Sequence, residues 1–431
     1  MTPQEMVAHA LDTAKRAGAD KAQVHLMLTE KSELNVDSGR MSLFRTTGNA
    51  SLSLTVFVGA RKGSATLNKI DASSIEEAAR EAAAFASTAE ADMANDISPA
   101  APPKEFEYGD REPDREAMYA RLSEFVAYAG KAYPKTKLEQ CILDFTRYEG
   151  FVGNTNGAFF IGRRGLYDFS AMFTSKDGEK TSSFNYSGAS DRKLTRPLEA
   201  WGSVDELMRQ SSEQLEPRRV QENFEGDLIM APDCMGDLVH ALQSVFLGDY
   251  PMLAGTSPWK DRLGERVCSD TLTLRSMPVS ERIKAGYFVT PDGFEAKDAT
   301  IIDGGILESF LLGLYASNKT GKPRATTAGG AWIIEAGADS LASMISGIER
   351  GLLLCRFSGG NPSSNGDFSG VAKNSYLIEK GKLAYPVVST MISGNFGDLV
   401  QDVKAVSKET VDFGSAIFPW IRFGGVTIAG N

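Results

Sequence analysis

Histidine is scarce in this chain, with three residues, His9, His25 and His240, among 431. They lie far apart in sequence, so a zinc site dominated by imidazoles cannot be assembled locally, and each reads first as structural or solvated. Four cysteines, Cys141, Cys234, Cys268 and Cys355, show no CxxC spacing. That signals neither a disulfide framework nor a cysteine zinc site, and fits buried thiols in a reducing compartment. No basic run exceeds pairs such as Arg163-Arg164 and Arg218-Arg219, and the net charge is −10 with a pI near 5.1. Phosphate contacts need a concentrated basic face, so direct nucleic-acid binding is not expected. No uncharged apolar run approaches the roughly 20 residues that span a bilayer. The chain starts not with an apolar leader but with a capping box, Thr2 and Glu5 around Pro3, that opens an amphipathic helix. A cytoplasmic protein away from membranes is expected.

Familiar catalytic signatures are missing as well. No GxSxG occurs, although Gly188-Ala189-Ser190 and Gly255-Thr256-Ser257 each supply its first half. There is no P-loop and no GxGxxG fingerprint after a strand. Aspartate and glutamate total 56, so a carboxylate site is formally available, but no local cluster with ligand spacing singles any of them out.

What is present is a long, ordinary globular composition, 42% apolar and 24% charged, which implies two domains or three smaller units. After the helix through Met6, Ala10, Leu11 and Ala14, strands are expected at 22–29, 32–36, 41–46 and 50–58, then a helix capped by Ser73 or Ser74 and running to about Ala86. The Pro-Ala stretch Ser98 to Lys104 reads as a linker. The same order then recurs: a helix over 114–129, strands at 138–148, 151–153, 158–163 and 166–174, and a closing helix over 204–214. Laying Ser38-Gly39-Arg40-Met41 over Asn156-Gly157-Ala158-Phe159, and Gly48 over Gly165, puts hairpin on hairpin at an offset of about 117 residues. The fold class is therefore read as α+β. An N-terminal α/β domain over 1–220, with a duplicated helix-strands-helix unit at 1–97 and 105–216, precedes a mainly antiparallel C-terminal domain over 221–431. Turns at Pro291-Asp292-Gly293, Asp303-Gly304-Gly305 and Lys380-Gly381 mark that second half as a sheet or partly closed barrel with a few helices, one of them over 339–351.

The chain is organised around Asn223 to Tyr250. A strand, a Pro-Asp corner and a helix follow one another there, with Met235, Leu238, Val239, Leu242 and Phe246 on one apolar face and His240 off it.

Ordered segments across the second half resemble the TldD/PmbA family, whose members are named modulators of DNA gyrase and microcin-processing peptidases. They include the helix stretch Ala231 to Tyr250, Leu263-Gly264-Glu265-Arg266-Val267, Asp303-Gly304-Gly305-Ile306-Leu307, Thr327-Ala328-Gly329-Gly330, Tyr376 to Gly381, Ala384-Tyr385-Pro386-Val387 and the terminal Gly425 to Asn431. The resemblance implies that a TldD-type subunit carries His-Glu-x-x-x-His on this helix and takes a cysteine ligand from near its C-terminus. Laid over this chain, the first histidine falls on His240, the glutamate on Ala241 and the second histidine on Val245; Ser407 to Trp420 holds no cysteine. The resemblance thus points to the PmbA (TldE) branch: a chain inactive alone, with no cofactor of its own, and a heterodimer in which a TldD-type partner supplies zinc. The alternatives are a homodimeric peptide-binding pseudoenzyme or regulator acting without such a partner, and an unrelated hydrolase using carboxylates. Extended peptides are the expected ligands, held by strand addition. The glycine-rich stretches 326–332 and 361–369 are the expected groove walls, with His240, Gly329, Gly330, Asn365, Phe368 and Ser369 as its residues.

Overall fold

The computed structural model describes residues 1–430, so Asn431, the last residue of the terminal run quoted above, lies outside the described residues. Helix α1 (Pro3–Arg16) opens on its capping box, with Glu5 N donating to Thr2 Oγ1 at 3.2 Å and Thr2 N to Glu5 Oε2 at 2.7 Å. The four short strands expected next are two long ones, β1 (Lys21–Asp37) and β2 (Arg40–Val58), followed by β3 (Arg61–Leu67). Pairing runs unbroken through the polar stretches that read as breaks, from Lys21↔Phe57 to Asn35↔Leu43. Helix α2 (Ala72–Thr88) is capped by Asp71, whose Oδ1 accepts from Ser74 N at 2.8 Å, rather than by either serine.

The stretch after Ser98 is more than a linker. It ends in a strand, β4 (Lys104–Tyr108), and Asn154 Nδ2 pins it by donating to Ser98 Oγ at 2.7 Å. Helix α3 (Arg115–Ala132), strands β5 (Thr136–Asn154), β6 (Phe159–Asp177), β7 (Lys180–Thr181) and β8 (Asn185–Asp191), and helix α4 (Val204–Glu213) complete this half. Strand β4 alternates Glu105, Phe106, Glu107 and Tyr108 and pairs in parallel with Phe160–Arg164 of β6.

The sheet runs β3-β2-β1-β5-β6, with β4 and β8 both on β6. Its two halves share a register. Glu30 stands opposite Gly48 in the first hairpin, and Arg147 stands opposite Gly165 in the second, each 117 residues further along. At the middle of the sheet Glu30 and Arg147 face each other across β1 and β5. One face is apolar: Val24, Leu26 and Leu54 pack beneath α1 and α2 in one cluster, and Leu143, Phe145 and Phe169 beneath α3 and α4 in another. The opposite face is polar and includes Lys31, Glu33, Asp144 and Asp168.

The second half is a 13-stranded, mainly antiparallel sheet whose backbone is the last strand, Ala416–Ile428, lying beside β9 (Phe224–Met230). The Asp303-Gly304-Gly305 hairpin forms as expected, and Lys380 and Gly381 take φ of 49° and 73° at another, the left-handed values such two-residue turns require. The helix expected over 339–351 shrinks to Leu341–Ser346, because Arg350–Leu354 is drawn into the sheet parallel to β9. Short helices at Leu314–Thr320 and Phe396–Gln401 were not anticipated; each has too few turns to show a period.

The two halves meet along the polar face and the β8 edge. Ser190 N donates to Phe413 O at 3.0 Å, Tyr108 OH to Gly286 O at 2.9 Å, and Phe106 stacks on Phe288 with ring centres 4.9 Å apart. Asp292, in the turn expected from Pro291-Asp292-Gly293, is gripped at both carboxylate oxygens by Arg324 at 2.7 Å, and the turn's Pro291 carbonyl accepts from Gln23 Nε2 at 3.3 Å.

Candidate functional site

Strand β9 ends at Met230. Pro232 cannot continue the ladder but suits the first turn of a helix, and Ala231 N ties the corner to Leu354 O at 2.9 Å. Helix α5 (Met235–Ala241) follows, then a six-residue π-helical segment over Leu242–Leu247 that closes with Gly248 N donating to Gln243 O at 2.8 Å. Met235, Leu238, Val239, Leu242 and Phe246 are buried, as their spacing predicts. The opposite side is exposed at Gly236, Asp237 and His240 and half-exposed at Gln243 and Ser244.

The widened turn matters for any chemistry on this element. In a regular α-helix, residues five apart diverge by about 140°; in a π turn they come back toward one face. Positions 240 and 245 are five apart. Here they hold an exposed imidazole and a buried isopropyl group, and between them Ala241 is wholly buried.

Both glycine-rich loops press on the same π segment. A Cβ on Gly329 would stand 3.3 Å from the Gln243 amide, and one on Gly366 would stand 3.1 Å from the Phe246 ring; both glycines have left-handed φ, of 79° and 95°. The first loop is fixed by Tyr287, whose hydroxyl receives Ala328 N at 2.8 Å and donates to Gly329 O at 2.8 Å. Gly330 O accepts from Ser276 Oγ at 2.8 Å. In the second loop Asn365 is exposed, its Nδ2 donating to Asp367 Oδ2 at 2.9 Å, and Ser369 is exposed on the strand that follows. Phe368 is a correction to the expected groove: it is 6% exposed and stacks on Phe396 with ring centres 4.5 Å apart, so it belongs to the core.

No local pattern announces the interdomain cavity. About 580 Å³ in volume, it lies at the seam, between β5, β6 and β8 on one side and the start of α5, Arg356 and the Phe413–Phe418 stretch on the other. Asp144, Asp168, Asp233 and Asp237 all line it. They come from three separate places in the chain, each unremarkable locally, which is why no ligand-like spacing exposed them. Burial pushes the Asp233 carboxyl up to about 6, although Ser187 Oγ donates to it at 3.2 Å. Asp144 is also raised by burial, partly offset by Lys31 at 2.8 Å, and desolvation raises Asp237 against the nearby His240.

Two family models match this architecture: the PmbA/TldA metallopeptidase C-terminal domain over residues 225–430, and PmbA/TldA metallopeptidase domain 1 over residues 29–86. The chain belongs to the TldD/PmbA family. Among relatives, it is 23% identical to a Haemophilus influenzae protein named metalloprotease PmbA homolog, across 98% of this chain and 96% of that one. It is 27% identical to the zinc metalloprotease TldD homolog of Saccharolobus solfataricus, across 43% of this chain and 44% of the other. The crystal structure of TldE from Thermococcus kodakarensis has the same fold, with a TM-score of 0.85, 20% identity, and coverage of 99% of this chain and 100% of that one. The TldD/PmbA family is metallopeptidase-related, so the decisive local question is whether positions 240, 241 and 245 suit a metal. They do not: one exposed imidazole stands beside buried methyl and isopropyl groups, and apolar carbon offers no donor.

Proposed function

We propose that this chain is a non-catalytic TldE/PmbA-type subunit of a zinc metallopeptidase that degrades peptides or unfolded small proteins, with a TldD-type chain supplying the metal and the base. One observation carries this: Ala241 and Val245, 0% and 4% exposed, stand where the resemblance puts a general base and a second imidazole. Zinc hydrolysis needs three protein ligands, an open position for water and a carboxylate to take its proton. His240 alone cannot supply that set.

What the chain contributes is shape. The π segment turns Gln243 and Ser244 outward, two glycine loops approach it without side chains, and the interdomain cavity opens beside the start of α5. An extended peptide could lie against such walls with main-chain hydrogen bonds and little sequence demand. A net charge of −10 without a basic stripe gives no physical route to DNA. The gyrase effect in the family's name would then run through destruction of a peptide or small protein. A cytoplasmic location accords with four free, buried thiols.

The test is reconstitution. The purified chain alone should hold no stoichiometric zinc and cleave no unfolded peptide, and mixing it with a TldD-type protein should give a stable complex with zinc-dependent peptidase activity. Robust activity of the chain alone would overturn the proposal. Failure of the two chains to associate would favour a self-contained peptide binder.

A further inference from the structure

The four carboxylates of the interdomain cavity are poorly matched by cations from the protein itself. Asp144 has Lys31 at 2.8 Å. Among the described residues, Asp168, Asp233 and Asp237 form no ion pair: Asp168 is met by the Ser190 hydroxyl and Asp233 by that of Ser187, and Asp237 accepts no hydrogen bond. The lining itself includes one cation, Arg356, and it is already engaged. Its Nη1 donates to Phe184 O at 2.6 Å, and its guanidinium lies 3.9 Å from the Phe184 ring centre and 5.3 Å from that of Tyr186.

A second feature of the wall also lacks a partner. Asn185 is 2% exposed and lines the cavity, yet its Nδ2 finds no acceptor among the described residues, while its Oδ1 is used by Tyr186 N at 3.1 Å. Buried amide donors are nearly always satisfied, and an orphan at a cavity wall suits an incoming carbonyl. Tyr186 lines the same cavity and is 56% exposed, offering an aromatic face beside the carboxylates. Carboxylates with an aromatic wall recognise ammonium and guanidinium groups, and a volume near 580 Å³ suits one long side chain with its flanking backbone.

We propose that the interdomain cavity is a subsite for a basic side chain of a peptide: a lysine or arginine whose charge is met by Asp168, Asp233 and Asp237 and whose neighbouring carbonyl accepts from Asn185. A peptide is favoured over a small amine because exposed and half-exposed positions lead out of the cavity along α5 and the π segment, from Asp237 past His240 to Gln243 beside Gly329. This assignment rests on the peptide-handling role proposed above. The burial that raises Asp233 and Asp144 is consistent with carboxylates awaiting a counter-charge.

Binding of fluorescent Gly/Ser decapeptides to the full chain, without zinc or partner, tests it. A peptide with one central lysine or arginine should bind about tenfold more tightly than its norleucine or glutamate counterpart, and the preference should shrink in high salt. Asp168→Asn and Asp237→Asn should each lose about three- to tenfold of that preference while melting like the wild type; Asp237 is exposed and Asp168 keeps an acceptor, so neither change threatens the fold. Equal binding of the lysine and norleucine peptides, or an unchanged preference in both variants, would overturn the subsite. Displacement of the peptide by n-butylammonium at equal concentration would overturn its assignment to a peptide side chain. Because neither zinc nor a second chain takes part, these outcomes are independent of whether the reconstituted peptidase works.

Discussion

Gly248 donates its backbone N–H to the carbonyl of Gln243, five residues back rather than four. Packing holds this wide turn. Phe246 lies against Trp259 with ring centres 4.4 Å apart, Ser257 Oγ donates to Phe246 O at 2.6 Å, and the space beside the Phe246 ring is kept free of side chains by Gly366 and Gly397. The inward positions of this turn, Ala241, Val245 and Phe246, are therefore part of the core.

Ala241→Glu should accordingly destabilise the protein rather than begin to rebuild a site. The new carboxylate would replace a wholly buried methyl group among Leu238, Leu242 and Val245. A loss of about 2–4 kcal/mol in urea unfolding is expected, the range for an unpaired polar group forced into a core. Wild-type stability would show that the position can open to solvent.

His240→Ala should do almost nothing. The imidazole is exposed and makes no hydrogen bond among the described residues, so stability should stay within about 0.5 kcal/mol. Peptidase activity of a complex with a TldD-type chain should be retained within about twofold. Loss of activity with unchanged assembly would return His240 to the chemistry.

Asp233 should impose a pH dependence of defined sign. Its carboxyl is raised to about 6 from an ordinary value of about 3.9, so the folded state holds the proton more tightly than the unfolded chain. The stability it contributes is present below about pH 4 and is lost as pH rises through 6. Asp233→Asn mimics the protonated form and should gain on wild type by about 1–3 kcal/mol at pH 7.5, with the gap closing toward pH 4. His25, pushed down by burial, titrates in an overlapping window with the opposite effect. The informative quantity is therefore the difference between variant and wild type in urea melts across this range; a difference that does not vary with pH would refute the assignment.

Two glycines should respond in opposite directions. A Cβ on Gly63 would collide with the Ala82 carbonyl and come within 2.6 Å of Ala86 N, so Gly63→Ala should force α2 off the sheet edge and cost about 2–4 kcal/mol. Gly130 sits inside α3 with nothing within 4 Å of its would-be Cβ, and Gly130→Ala should stabilise by about 0.5–1 kcal/mol. Thermal melts of the pair measure both.

The legible parts of this molecule were those written in local period or turn chemistry. The capping box at Thr2, the apolar face of α5 and the Asp303-Gly304-Gly305 hairpin all stand as read. Where structure depends on pairing across distance, local pattern misled. Polar residues such as Glu30 and Thr47 looked like strand breaks but lie within continuous ladders, and Arg350–Leu354 joined a sheet where helix was expected to continue. Phe368 looked like a loop aromatic because its core partners, Phe396 and Phe357, are supplied by other segments. The interdomain cavity was invisible for the same reason: Asp144 and Asp168 meet across β5 and β6, and Asp233 and Asp237 join them only once both halves are docked.

Glu30 and Arg147, joined at 3.3 Å at the centre of the first sheet, carry an implication for how this chain acquires its fold. Each hairpin can close locally, β1 with β2 and β5 with β6, but the strand pair that unites them must wait until residues 117 apart have both left the ribosome. The centre of this sheet is therefore the part with the highest sequence separation and should be its last to zip. Until then β1 and β5 each offer an unpaired edge of 15 or more residues, the stretch most exposed to mispairing with another copy during synthesis.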